Sequence, residues 1–362
     1  MTRCMFARSS LAVSGLLALG LAAASQAAGA ASVAEVALMQ GPDRQAKLEA
    51  GAKIEGEVNF YTTLIVDQAV IPIKNAWEKK YPAIKFNFVR ASGAPLVQRI
   101  IAEARAGKPN ADVAVPATDA LGRADMLQKI WSPELAAFPA HYLANGGTTM
   151  TYRLSFFGMG YNTKMVSPAD APKAWEDILD PKWKGKMIWA TSRETGGTFL
   201  IHHLLSHWGK AKADAFFDKL AAQNVAKSDA SVRALLDLVI AGEYAMLITT
   251  SLNHAIISQG EKAPVDYASP DPVPARPDDI MLLNNAPHPH AGMLLIDFIL
   301  SREGQEVLSK AEYQVARTDV DPLPSMRPII PELNGKKSIV YRPETLTAVE
   351  PQLREIFDKV SP

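Results

Sequence analysis

The chain has 362 residues, with 38 basic and 38 acidic side chains, 48% hydrophobic residues and one cysteine. A neutral balance argues against nucleic acid or an anionic membrane surface as a partner, and one cysteine excludes an internal disulfide framework. The length suits a sizeable core split between two lobes.

Residues 1–30 have the order of a secretory signal: Arg3 and Arg8 without an acid, the apolar run LAVSGLLALGLAAA, then small residues in SQAAGA. Cleavage is expected after Ala27 or Ala30, giving a signal over residues 1–27. The apolar run is shorter than the roughly 20 residues of a bilayer span, which argues against an anchor. Cys4 lies within this segment and no cysteine follows, so a lipoprotein is not expected. The expected product is an exported chain without thiol chemistry. Loss of Arg3 and Arg8 takes 38 bases to 36 against 38 acids, a net charge of −2.

Residues 33–52 then read as one amphipathic helix. EVNFYTT (57–63) is a strand, VIPIKNAWEKKYP (70–82) a helix stopped by Pro82, and IKFNFVRASG (84–93) a strand. APLVQRIIAEARAG (94–107) is a helix closed by Gly107. ADVAVPATD (111–119) is a short strand before a helix carrying Leu121, Met126 and Leu127. Strands are expected at 157–162, 186–192 and 244–251, and helices at 197–209, 211–223 and 231–242. A Pro-rich connection (269–279), a strand at Ile280–Leu283, a long helix from Pro289 to Leu308 and a terminal helix near 344–360 complete the chain. Strand–helix alternation at this spacing predicts parallel βαβ units.

Five strands end in small polar residues where a helix begins: Thr62 and Thr63, Ser92 and Gly93, Thr118 and Asp119, Thr191 and Ser192, Thr250 and Ser251. Each pair alone suits an ordinary N-cap. Together they predict a polar crevice, because ligands of open α/β sheets sit beyond the carboxyl ends of the strands, where helix N-termini offer free N–H groups.

NNAPHPHAGMLLIDFILSREGQEVL (284–308) resembles the periplasmic solute-binding proteins of ferric-iron-type ABC transporters. GEVNFYTT, ASGAPLVQRIIAEARAGKPNADV, LSFFGMGYNTKMV, AWEDILDPKWKGKM and LVIAGEYAMLI agree in order, covering about residues 54–320. The resemblance implies a type II periplasmic-binding fold: two α/β lobes, each a mainly parallel mixed sheet flanked by helices, closing on a solute delivered to a permease and its ATPase. Discontinuous lobes are expected at 31–116 with 254–313, and at 117–253 with 314–362. A monomer is expected, without cofactor, catalytic residue or metal.

The likeness departs at the ligand. Iron-type members place paired tyrosines where this chain has Thr250, Ser251 and Leu252, and a histidine or arginine where it has Leu64 and Ile65. Some place an acidic or aromatic ligand where it has Pro116 and Ala117. Neutral hydroxyls are poor ligands for ferric iron, so bare iron is disfavoured, with an iron chelate left as an alternative. TSRETGGTFL (191–200) instead suits an organic anion such as a phosphate ester, phosphonate or carboxylate. Arg193 offers a bidentate fork, Thr195 and Thr198 offer hydroxyls, and Gly196 and Gly197 permit close backbone approach. Thr62, Thr63, Ser92 and Gly93 are expected to contribute from the first lobe, and Arg193, Thr195 to Thr198, Thr250 and Ser251 from the second, with Thr118, Asn253 and His254 as further candidates.

His254 either donates to an anion or caps a helix. His203 and His207 share a helix face but lack an acidic partner and the HExxH glutamate, so they are not read as a metal site. His288, His290, Asp229 and Ser231 read as structural, and Tyr61 and Tyr161 as core or cleft floor. Glu194 and Asp119 would repel an anion unless the solute also carries an amine. No G-x-S-x-G, P-loop or CxxC occurs, which lowers the case for a periplasmic enzyme. A sensor docking on a receptor is not separable from a transporter component at this level.

Overall fold

The strands Glu57–Thr62 (β1), Lys85–Arg90 (β2), Val113–Val115 (β3), Thr149–Asn162 (β4), Met187–Ala190 (β5), Ala226–Ser228 (β6), Met246–Ser251 (β7), Val265–Ala268 (β8) and Val273–Leu283 (β9) belong to one mixed sheet. Its order is β2-β1-β3-β9-β4-β7-β5-β6, with β8 also on β4. The computed structural model describes residues 31–116, 119–191 and 196–360. The expected signal segment with Cys4 lies outside these residues, as do Thr118, Ser192, Arg193, Glu194 and Thr195.

Parallel pairing holds at the two ends, where β1 lies between β2 and β3, and β5 between β6 and β7. The middle is antiparallel: β9 pairs with β3 and β4, and β4 with β7. β4 is a 14-residue strand, buried along almost its whole length, because both its faces are covered.

Hydrophobic side chains collect into two main cores. One runs from Val36 to Tyr152 and from Ile280 to Val320. The other runs from Phe157 to Ala268 and from Tyr341 to Val360. A smaller cluster holds Phe156, Leu252, Ile256, Val273 and Ala275 with Met326, Ile329 and Ile330. The change of core therefore falls inside β4 and β9. The boundaries expected at 116–117, 253–254 and 313–314 are displaced, since Leu121, Met126, Ile130 and Phe138 join the first core, as do Val315 and Val320. Ala268 packs with the second, and Val265 with a further cluster of Ile188, Leu235, Leu236, Val239 and Leu247.

Local chemistry explains other departures. The lead-in helix is two pieces, Val33–Ala37 and Arg44–Glu55, separated by Gly41, whose φ of 105° is left-handed, and by Pro42. The helix expected through Met126 is only Ala120–Arg123, because Leu127 and Gln128 pair with Leu283 and Leu282. Ser301, in extended geometry, accepts from the Gly304 amide and splits the long helix into Pro289–Leu300 and Arg302–Lys310. The Pro-rich stretch is largely β9 itself. Residues 276–280 pair with β4 on one side and with no described strand on the other, so proline is tolerated there as on an edge strand.

Candidate functional site

A cleft of about 920 Å³ is bordered by residues of both cores. Helices Gly93–Arg105 (α1), Gly197–Trp208 (α2), Val232–Ala241 (α3), Leu252–Gly260 (α4) and Glu350–Val360 (α5) reach it, together with β4 and β9. Side chains alternate along a strand. Arg153, Ser155 and Phe157 of β4 accordingly share its cleft side, and Arg276 of β9 joins them.

The centre of the site is a buried ionic cluster. Arg153 Nη1 lies 3.1 Å from Asp278 Oδ2, and Arg276 Nη2 donates to Asp278 Oδ1 at 2.7 Å. Ser155 Oγ donates to Asp278 Oδ2 at 2.6 Å and accepts from Arg153 Nη1 at 3.0 Å. The Tyr313 ring lies under the Arg153 guanidinium, 4.7 Å from its centroid. Burial opposes ionisation of Asp278, but Arg153 and Arg276 hold its carboxyl below the usual range. Two guanidiniums thus engage one carboxylate in a poorly solvated place.

The border as a whole is rich in arginine. Among the described lining residues are six arginines (Arg90, Arg123, Arg153, Arg233, Arg276 and Arg354) and three acids, Asp229, Glu350 and Asp358. Arg233 is fixed by Ser258 Oγ at 2.8 Å and by Asp237 Oδ1 at 2.9 Å. His254 also borders the cleft. Burial, then Arg233 and Arg153, push its imidazole down to about 3, so it is neutral near pH 7 with one donor and one acceptor nitrogen.

The residues expected from sequence divide into three groups. Thr63, Ser92, Gly93, Thr198, Ser251, Asn253 and His254 border the cleft. Ser92 precedes α1 without capping it through its side chain, and a Cβ on Gly93 would come within 2.8 Å of the Pro116 carbonyl oxygen. Ser251 Oγ donates to Asn253 Oδ1 at 2.6 Å, and Asn253 Nδ2 to the Glu312 carbonyl at 3.3 Å. Thr62, Thr250, Gly196 and Gly197 are not on the border. Thr62 Oγ1 instead accepts from the Leu64 amide at 3.0 Å. Thr250 is fully buried, its methyl packing where Gly160 has no side chain. Gly197 makes room for Phe357, since a Cβ there would lie 2.4 Å from that ring. Thr118, Arg193 and Thr195 lie outside the described residues.

Other readings resolve into scaffold roles. His288 Nδ1 lies 3.0 Å from Asp112 Oδ2, and His290 Nδ1 2.7 Å from Glu55 Oε1. Buried His203 is hydrogen-bonded to the Tyr341 hydroxyl at 3.1 Å, and Ser231 caps α3 by accepting from the Ala234 amide. The Tyr61 hydroxyl donates to Glu103 and that of Tyr161 to Asp266, so neither floors the cleft. Asp119 is ion-paired with Arg123. The arginines of β4 and β9 were missed by the strand-end reading. Their signal was a cation inside an otherwise buried strand, as in TYRLSFF and VPARPDD.

Comparison with known proteins gives a consistent picture. The family model described as bacterial extracellular solute-binding protein matches residues 110–329. A Salmonella typhi protein named "Putative 2-aminoethylphosphonate-binding periplasmic protein" is 30% identical over 254 residues, covering 67% of this chain and 73% of its own. The periplasmic binding protein AfuA of Actinobacillus pleuropneumoniae, solved with fructose-6-phosphate, has a TM-score of 0.70 at 22% identity, covering 84% of this chain and 98% of its own. Iron-bound HitA from Pseudomonas aeruginosa gives 0.69 at 19% identity over 84% and 99%. These two likenesses are of fold.

Proposed function

The chain belongs to the bacterial extracellular solute-binding protein family, and from that membership we propose that it is a periplasmic receptor feeding a small organic phosphate or phosphonate to an ABC permease and its ATPase. One observation carries the ligand class. Arg153 and Arg276, each less than a tenth exposed, border the cleft while both engaging the carboxylate of Asp278. Buried guanidiniums on the border of a cleft favour an anion, and a pair of them matches the oxygens of a phosphoryl or phosphonyl group.

The other polar groups of the border suit the remainder of such a solute. Thr63, Ser92, Gly93 and Arg90 would hold it from the first lobe. Thr198, Ser251, Asn253 and His254 would hold it from the second, with Arg193 and Thr195 retained as proposed contacts. Residues 1–27 are proposed as the export signal, and the solute leaves chemically unchanged. The names of the phosphonate relative and of the sugar-phosphate-bound neighbour support the same class. An iron-bound neighbour keeps a ferric chelate as the second reading. An anionic chelate would suit these guanidiniums, whereas a bare trivalent cation is repelled by them.

The test is calorimetry on mature protein stripped of bound solute by unfolding and refolding. 2-Aminoethylphosphonate, fructose-6-phosphate, inorganic phosphate, propionate and ferric citrate serve as titrants. At least one phosphate or phosphonate should bind with a Kd below about 10 μM. Binding of ferric citrate alone would replace this reading with the chelate.

A further inference from the structure

The ionic cluster lies on one face of the two strands that pass between the cores, and a second polar cluster lies on the other. Asp278 and Asp279 are consecutive in β9, so their side chains project to opposite faces. The register shifts at this point, so that Asp278 pairs with Arg153 of β4 and Asp279 with Thr151. Thr151 Oγ1 donates to Asp279 Oδ1 at 2.6 Å. Arg342 Nη1 donates to Asp279 Oδ2 at 3.4 Å, while its Nη2 donates to the His141 carbonyl at 3.0 Å and to Thr151 Oγ1 at 3.4 Å. His141, Thr151, Asp279 and Arg342 do not border the cleft, which places them behind the strands whose front carries Arg153 and Arg276.

Arg342 also joins the two cores. Its neighbour Tyr341 is buried in the second core, and the Tyr341 amide donates to the Ala275 carbonyl at 2.8 Å. The groups that the guanidinium reaches belong with the first core. Thr151 lies between its members Met150 and Tyr152, and His141 adjoins Tyr142, which packs on it. The side chain thus spans the stretch of β4 and β9 where the core changes.

We propose that Arg342 is an affinity-determining residue acting from outside the cleft, a tie across the back of the bend that opposes closure of the lobes on the solute. The proposal rests on the solute-binding reading above. The cleft, at about 920 Å³, is several times larger than a two-carbon phosphonate, so holding one from both sides requires the strands to bend toward it. Bending toward the front lengthens the back. A guanidinium that holds a carboxylate, a hydroxyl and a carbonyl together must then give up part of that set. The closed arrangement is less populated as a result, and apparent affinity falls with the fraction of binding-competent protein. The same tie keeps the unloaded cleft open for entry.

Arg342→Gln keeps a planar donor but removes the charge and the fork. Calorimetry uses 2-aminoethylphosphonate, fructose-6-phosphate and ferric citrate. Each of these that the wild-type protein binds should bind about threefold to tenfold tighter to the variant. The factor should be common to all, because the tie acts on closure and touches no solute. A cooperatively folded variant with equal or weaker affinity would overturn the proposal, as would a gain for one solute and not another. Should Arg342→Gln not fold, Arg342→Lys decides the matter. Lysine keeps the charge beside Asp279 but lacks the fork that also holds the His141 carbonyl, so binding should again tighten, and no gain would overturn the tie. If ferric citrate alone binds the wild-type protein, the phosphate reading fails while the tie is still decided by the Kd for ferric citrate. A wild-type protein that binds none of the three would overturn both.

Discussion

Arg276 sits with its guanidinium beside Asp278 and 5.7 Å from the Phe157 ring centroid, on the border of the cleft. Glutamine there retains a donor but loses the charge and the fork. Arg276→Gln should therefore weaken solute binding by about 1.5–3 kcal/mol, and an unchanged Kd in calorimetry would remove Arg276 from the site. Gly158 illustrates a packing constraint on the same strand. A Cβ there would stand 2.2 Å from the Ala268 carbonyl oxygen and 2.8 Å from a Leu252 methyl, so Gly158→Ala should cost about 1–3 kcal/mol in chemical denaturation. A midpoint equal to wild type would mean that β8 yields more easily than its pairing implies. At this scale the hydroxyl row of β7 was legible only in part. Ser251 reaches the cleft, but Thr250 turns its methyl to the space left by Gly160, a contact between distant residues that no local pattern records.

Helix α2 carries the clearest pH dependence. His203 is buried in its packed face, and burial, followed by His207 and His202, pushes its imidazole down to about 3 from an ordinary 6.5. His202 is lowered in the same direction by burial. Between those values the unfolded chain binds a proton that native His203 refuses. Stability is therefore complete above about pH 6.5 and declines as pH falls toward 3. Denaturant melts from pH 7.5 to 4.5 should show this loss, and His203→Gln should reduce it, leaving the share of His254, whose imidazole is lowered alike. An identical acid slope in the variant would place the dependence elsewhere. Elements were legible where apolar periodicity is strong, as in α1, α3 and β1. They were not where tertiary context overrides composition. β9 contains Pro274 and Pro277 yet is a strand, because β4 pairs with it and no described strand pairs with its other edge at Pro277. Ser301 is an unremarkable helical residue by pattern until its cap geometry divides the helix.

For the whole molecule, two lobes and a cleft at the carboxyl ends of parallel strands followed from βαβ spacing and the family resemblance. The antiparallel centre did not, since a strand's sequence does not state the direction of its partner. That centre matters for motion. β4 and β9 both change core, the register shifts between Asp278 and Asp279, and residues 276–280 pair with a described strand on one side only. Bending there would move the lobes with little disruption to either core. A solute held by both lobes should favour the closed arrangement, so X-ray scattering should give a smaller radius of gyration with bound phosphonate. An unchanged radius at saturation would argue for a rigid receptor. The most direct test of the anion site is a crystal structure of the chain with 2-aminoethylphosphonate or fructose-6-phosphate. The account predicts phosphonyl or phosphoryl oxygens within hydrogen-bond distance of both Arg153 and Arg276. An oxyanion seated away from that pair, or a ferric ion held in the cleft without it, would contradict the account.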